Sequence, residues 1–192
     1  TQALLDAHVN WFGQGVLLAR IPLFMFQAVQ AALLPRLSRL AASGNFIEFR
    51  AGLSRLLKLV VAVGALGTIG ALLLGPFALQ TVYQAELSGT TMAILAASSA
   101  GYMLALALAQ AVIALKGHRL VAIGWVVAAA GLGVATWLSS DDVFRRVEIG
   151  LLTSTVVAVI YFAVVLRMRL ESGIEPDDAS VLEAITDMPF ET

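Results

Sequence analysis

The chain has 192 residues, of which 59% are hydrophobic and 13% are charged, with a formal net charge of −1 and no cysteine. Soluble domains average about 45–50% apolar and about 25% charged residues, so this composition excludes an ordinary soluble enzyme. The near-zero net charge argues against a nucleic-acid-binding protein, and the lack of cysteine excludes a disulfide framework. The composition predicts an all-α integral membrane protein.

The first predicted span covers residues 11–35 and carries Arg20 near its middle, with Pro22 two residues later. A charged side chain within a span costs at least about 2.5–3.5 kcal/mol, so it usually faces a cavity or a partner. Gln27 shares a helical face with Arg20, and Gln30 lies slightly further round. The pattern favours a hydrated cavity whose positive charge attracts an anionic group such as phosphate. The alternative is that Arg20 extends to the outer membrane interface.

Residue patterns typical of helix ends mark the connection after the first predicted span. Gly44 is typical of a helix C-terminus, and Asn45 with Glu48 is typical of an N-terminal cap. In the next apolar run, the Gly75-Pro76 pair predicts a kink or a loosened turn. Three glycines in that run recur every third residue and predict close packing between helices, namely Gly64, Gly67 and Gly70.

Four apolar runs after the first are long enough to cross a bilayer core of about 30 Å as helices. We predict spans near residues 56–80, 91–115, 119–139 and 147–168, which brings the total to five. None of the charge-free runs contains an aspartate or a glutamate, and Glu148 is grouped with the charged residues before the last run. A proton-driven exporter of cationic drugs usually needs an embedded carboxylate, so this pattern argues against one.

The third predicted span adds two polar residues, Tyr102 and Gln110, as candidates for the lining of the same cavity as Arg20, together with Ser98 and Ser99. Ordinary hydrogen bonding between helices is the alternative for both candidates. No catalytic constellation and no nucleotide-binding loop is present in the sequence, and the histidines are predicted on opposite sides of the membrane. The sequence therefore predicts a protein that is not an enzyme and binds neither a cofactor nor a metal.

Basic residues predict the orientation, because lysine and arginine concentrate in cytoplasmic loops. Nine of them fall on one predicted side: Arg36, Arg39, Arg50, Arg55, Lys58, Lys116, Arg119, Arg167 and Arg169. We therefore predict a multi-pass plasma membrane protein with its N-terminus outside and its C-terminus in the cytoplasm. Residues 1–170 form the predicted transmembrane region, and residues 171–192 an acidic cytoplasmic tail. That tail is either a solvated segment with nascent helix or a helix that docks a partner.

The segment Ala19-Arg20-Ile21-Pro22-Leu23-Phe24, followed by residues 27–42, resembles the polysaccharide-export flippases of the O-antigen and teichoic acid type. These transporters share a superfamily with MATE drug exporters and lipid II flippases. In this family a span ends in a Pro-Arg-Leu-Ser-Arg-like turn, as at residues 35–39, and a short basic cytoplasmic loop follows. The likeness covers roughly residues 11–170, and its specific part is the first 45 residues.

The resemblance implies two similar six-helix lobes around a central cavity, with this chain matching a second lobe that lacks its first helix. The chain is then the C-terminal portion of a flippase, with an N-terminal lobe as its missing partner, in agreement with a sequence that starts at Thr1. The implied substrate is a lipid-linked oligosaccharide in the surrounding membrane lipid, with Arg20 contacting its polyprenyl pyrophosphate. The alternatives are a multidrug exporter of the same superfamily and a non-transporting membrane scaffold in cell-envelope synthesis.

Overall fold

The computed structural model describes residues 2–20, 26, 35–83, 87–139 and 142–171. Within these ranges the chain is helical and has no strand, so the all-α prediction is confirmed for the described residues. The helices are α1 (Gln2–Ala19), α2 (35–42), α3 (Phe46–Tyr83), α4 (Gly89–Ala114), α5 (His118–Leu138) and α6 (Val143–Glu171). The predicted acidic tail lies almost wholly outside the described residues.

Among the described residues, α3, α4, α5 and α6 are long and apolar enough to cross a membrane. The bounds of α4 and α5 lie close to the predicted ones, whereas α3 and α6 extend past the apolar runs into charged sequence. The predicted helix over residues 11–35 differs most, since α1 begins at Gln2 and ends at Ala19, with Arg20 in a turn. Proline disfavours helical backbone at the residue before it, which is a physical reason for α1 to end ahead of Pro22.

Helix α4 lies at the centre of the bundle. It packs against α3 on one side and α6 on the other, and α5 packs mainly on α6 with a smaller contact to α4. Gly64 of α3 confirms the predicted close packing, because a Cβ there would lie 2.6 Å from the Cβ of Ala100 in α4. Gly67 and Gly70 have open space instead, with no heavy atom of the described residues within 4 Å of an added Cβ.

An aromatic cluster joins α4, α5 and α6. The ring of Trp125 lies 5.6 Å from that of Tyr102 and 5.2 Å from that of Phe162, measured between centroids. Ser154 of α6 also donates a hydrogen bond of 2.9 Å to the carbonyl of Ala128 in α5. Rings at these separations attract one another beyond their buried area, so the cluster fixes Tyr102 relative to α6.

The predicted basic loop over residues 35–58 is mostly helical, because α2 and the start of α3 both bury an apolar face. Leu37 and Phe49 are almost fully buried there. The predicted turn is confirmed, since Gly44 has a φ of 69° and Asn45 Oδ1 accepts a hydrogen bond of 3.2 Å from the Glu48 amide. Arg50 Nη2 donates to the Leu170 carbonyl over 3.1 Å. This contact places the start of α3 beside the end of α6, at what we call the basic end of the bundle.

The opposite end holds the start of α4 and the start of α6. Pro76 lies within α3 and has no N–H, so the Leu72 carbonyl loses its usual helical partner. A Cβ on Gly89 would lie 2.5 Å from that carbonyl oxygen. Glycine at the first residue of α4 therefore lets the helix approach the freed carbonyl more closely than any other residue type would.

Large apolar side chains cover the outward faces of α3 and α5. Leu66 and Phe77 are each 71% exposed, and Trp137 is 80% exposed. A water-soluble monomer rarely exposes a contiguous apolar surface of this extent. Lipid would cover this surface, in agreement with a membrane protein.

Candidate functional site: a polar cavity beside Arg20

Helix α1 runs in the same direction as α4 and α6 and ends about half-way along them. Near its middle, the ring of Phe12 lies 5.3 Å from that of Phe144, in the first turn of α6. At its end, Arg20 is exposed, and its backbone amide donates to the Leu17 carbonyl over 3.1 Å. The C-terminus of a helix carries partial negative charge, so a guanidinium is favourably placed there.

A cavity of about 460 Å³ lies between this helix end and the middle of α4 and α6. The polar residues that line it are Arg20, Ser98, Ser99, Tyr102, Ser154 and Thr155. The structure thus brings Arg20 and Tyr102 together with the two serines that the sequence had suggested. Ser154 and Thr155 were not singled out, although two adjacent hydroxyls in the last apolar run were visible in the sequence.

Hydrogen bonds divide the hydroxyls of this cavity into two groups. Three of them already donate to backbone carbonyls: Ser98 to Ile94 over 2.8 Å, Ser154 to Ala128 over 2.9 Å, and Thr155 to Leu152 over 2.9 Å. The hydroxyls of Ser99 and Tyr102 have no hydrogen-bond partner among the described residues, and neither does the Arg20 guanidinium. The donors left to the cavity belong to these three residues, so the site suits an acceptor-rich anion.

Of the three glutamines that the sequence suggested for the cavity, only Gln110 is among the described residues. Contrary to the sequence prediction, Gln110 is not among the residues that line the cavity. It lies eight residues beyond Tyr102, which is about 12 Å along a helix. Its Oε1 is buried without a hydrogen-bond partner in the described structure. Gln27 and Gln30 lie outside the described residues.

An apolar groove of about 310 Å³ adjoins the polar cavity. It lies between α3 and α4 and is lined by small residues, including Gly64, Gly67 and Gly70. Ala19 and Ser99 line both spaces, so the groove and the cavity lie side by side. The three glycines leave room there because they carry no side chain. Together the two spaces form a site with one charged part and one apolar part.

No family model, no curated protein and no solved structure matches this chain. The resemblance to polysaccharide-export flippases therefore rests on the residue pattern around Arg20 and Pro35 alone.

One buried carboxylate escaped the sequence analysis. Asp142 Oδ1 accepts a hydrogen bond of 2.9 Å from the Phe144 amide, and α6 begins at Val143. Glu148 therefore lies within α6 and is only 3% exposed. This corrects the expectation that Glu148 belongs to the charged connection before the last helix. The sequence did contain a pattern that could have identified Glu148 as part of this helix. Its spacing to Leu151 and Thr155 places the three side chains on one helical face.

Proposed function

We propose that this chain is part of a membrane flippase that exports lipid-linked oligosaccharide or polysaccharide precursors for cell-envelope synthesis. The observation that supports it best is that the polar cavity and the apolar groove adjoin, with Ala19 and Ser99 lining both. A polyprenyl pyrophosphate has the same two parts, an anionic head and a hydrocarbon chain. The residue pattern of the flippases, shared over residues 19–42, supports the same class of substrate.

Each part of the site contributes a different kind of recognition. The guanidinium of Arg20 and the hydroxyls of Ser99 and Tyr102 donate hydrogen bonds to phosphate oxygens, and bonds to ionised groups are about twice as strong as neutral ones. The groove shields the first carbons of the chain from water and contributes about 0.8 kcal/mol for each buried methylene. Headgroup and chain therefore bind together more tightly than either alone.

The proposal also includes the orientation of the helices in the membrane and an N-terminal lobe as the partner. The basic end of the bundle faces the cytoplasm of a cell whose plasma membrane holds the protein, following the excess of lysine and arginine there. Helix α1 then enters from outside and ends within the membrane at Arg20. Because Arg20 is exposed, a second lobe facing it would close the cavity, as the missing N-terminal lobe of a flippase would do.

A multidrug exporter of the same superfamily is the second candidate, and buried Glu148 favours it, since an embedded carboxylate attracts cationic drugs. The cavity beside Arg20 has the opposite charge and repels a cation. An anionic substrate is therefore the better match for this cavity.

Binding to the purified chain in lipid nanodiscs tests this function. We expect farnesyl pyrophosphate to bind at least about 10-fold more tightly than inorganic pyrophosphate or farnesol, because only the first probe fills both parts. Titration calorimetry at one salt concentration gives the three affinities, and tetraphenylphosphonium serves as the drug-like cation. Equal binding of farnesol and farnesyl pyrophosphate, or tighter binding of the cation, would contradict the proposal.

A further inference from the structure

An open groove of about 510 Å³ lies along α3 at the basic end of the bundle, and we call it the α3 surface groove. It has a polar part and an apolar part, whose lining residues include Arg50, Ser54 and Lys58 in the first and Val61, Ala62 and Ala65 in the second. None of these residues lines the Arg20 cavity or the apolar groove beside it. The α3 surface groove is therefore a separate surface that the export function leaves unused.

The charge pattern of α3 places this groove at a membrane interface. Lys58 is the last charged residue of the helix, since residues 59–83 carry no charge. The 38 residues of α3 span about 57 Å, whereas the hydrocarbon core of a bilayer is about 30 Å thick, so the helix extends beyond the core. Arg50 and Lys58 therefore lie at the level of the lipid headgroups, and Val61 and Ala65 lie beside the first acyl carbons.

The polar part of the groove offers positive charge and hydrogen-bond donors. Its three polar residues follow one another at intervals of four, which makes them neighbours on one helical face. The Lys58 ammonium and the Ser54 hydroxyl have no hydrogen-bond partner among the described residues. Arg50 Nη2 donates to the Leu170 carbonyl over 3.1 Å, which fixes the guanidinium and leaves its Nε and Nη1 to other acceptors. No acidic residue is among the described lining, so the two positive charges favour a phosphate.

We propose that the α3 surface groove binds an anionic phospholipid from the leaflet at the basic end. The lipid phosphate accepts hydrogen bonds from Arg50, Ser54 and Lys58, and the start of one acyl chain packs against Val61 and Ala65. A zwitterionic lipid fits less well, because the two cations repel the ammonium group of its headgroup. A free phosphate lacks the acyl chain and leaves the apolar part of the groove empty. This lipid stays bound as a component of the membrane and is not cargo, so the site is independent of the export function.

Native mass spectrometry of the intact chain with added lipid tests this site. We expect dioleoylphosphatidylglycerol to bind at least about 10-fold more tightly than dioleoylphosphatidylcholine, which has the same acyl chains. A basic residue near an anionic headgroup strengthens binding about 5-fold, so Lys58→Gln should weaken phosphatidylglycerol binding about 5-fold and Arg50→Gln with Lys58→Gln about 30-fold. Lys58 is exposed and without a partner among the described residues, so its single substitution leaves the fold unchanged.

The matched control is Lys116→Gln with Arg119→Gln. Both residues are exposed at the connection between α4 and α5, at the same end of the bundle, and neither lines the groove. This control removes the same charge as the double variant in α3. It should leave the affinity for phosphatidylglycerol within about 2-fold, because charges more than a Debye length apart are screened.

Three results would overturn the lipid site: equal affinities for the two lipids, an equal loss of affinity in the control, and displacement of phosphatidylglycerol by excess glycerol phosphate. The last would assign the groove to a free anion. Lys58→Gln should leave farnesyl pyrophosphate binding unchanged, and Arg20→Gln should leave phosphatidylglycerol binding unchanged. Loss of both ligands in either variant would contradict two separate sites. If farnesyl pyrophosphate fails to bind while the phosphatidylglycerol series persists, the export function is contradicted and the lipid site stands.

Discussion

Replacing Arg20 with glutamate is expected to abolish binding of farnesyl pyrophosphate, whereas lysine at the same position should retain part of it. Hydrogen bonds to charged groups contribute about 1.5–3 kcal/mol, so Arg20→Gln should weaken binding by roughly 10- to 100-fold. Glutamate adds repulsion between its own negative charge and the phosphate groups. Lysine keeps the charge but loses the planar set of donors that matches phosphate.

The matched control for this series is Arg39→Glu. Arg39 is equally exposed, but it lies on α2 at the basic end, away from the cavity. Its substitution changes the net charge of the protein by the same amount and should leave the affinity within about 2-fold, because surface charges more than a Debye length away are screened. Titration calorimetry of the three Arg20 variants and the control measures both effects. A similar loss of affinity in Arg39→Glu would show that the protein's overall charge, and not the cavity, attracts the ligand.

Replacing Gly67 with leucine is expected to remove the contribution of the prenyl chain while leaving headgroup binding intact. Gly67 lines the apolar groove and has no heavy atom of the described residues within 4 Å of an added Cβ. The Cβ of a leucine meets no atom there, so we expect the side chain to extend into the groove and to occupy the space of several chain carbons. At about 0.8 kcal/mol for each methylene, farnesyl pyrophosphate should bind roughly 10- to 100-fold more weakly. Inorganic pyrophosphate should bind unchanged.

Gly133→Leu is the control for this second substitution. Gly133 lies on α5, also has open space around an added Cβ, and is not part of the groove. Both variants should keep the thermal unfolding midpoint of the parent chain, since neither introduces overpacking. Equal loss of farnesyl pyrophosphate binding in the two variants would mean that the chain does not occupy the groove.

The sequence predicted the helical class and the approximate bounds of α4 and α5, because long apolar runs between charged residues determine them locally. The turn at Gly44 and Asn45 was also predictable, since left-handed backbone and side-chain capping each depend on a few neighbouring residues. The grouping of Arg20 with Tyr102 followed from the cost of polar groups in a span, although their role as a substrate site remains a prediction.

Other features depend on tertiary contacts that hydropathy does not contain. Charge counting placed Glu148 with the polar connection, but the packing of α6 against its neighbours buries it. Gln110 was assigned to the cavity as a polar residue of α4, yet its position along the helix takes it away from Arg20. The groove and the cavity adjoin where α1 ends beside α3 and α4, an arrangement that requires the assembled bundle.

Photo-crosslinking with a prenyl pyrophosphate that carries a diazirine on its first isoprene unit tests the central claim most directly. The claim is that one amphiphile occupies both the polar cavity and the apolar groove. After illumination in nanodiscs and peptide mapping, we predict adducts concentrated on residues 63–78 of α3 and 92–103 of α4, and their loss with excess unlabelled farnesyl pyrophosphate. Adducts spread evenly over the outward faces of α3 and α5, and unaffected by competitor, would show that the probe merely dissolves in lipid and would contradict the claim.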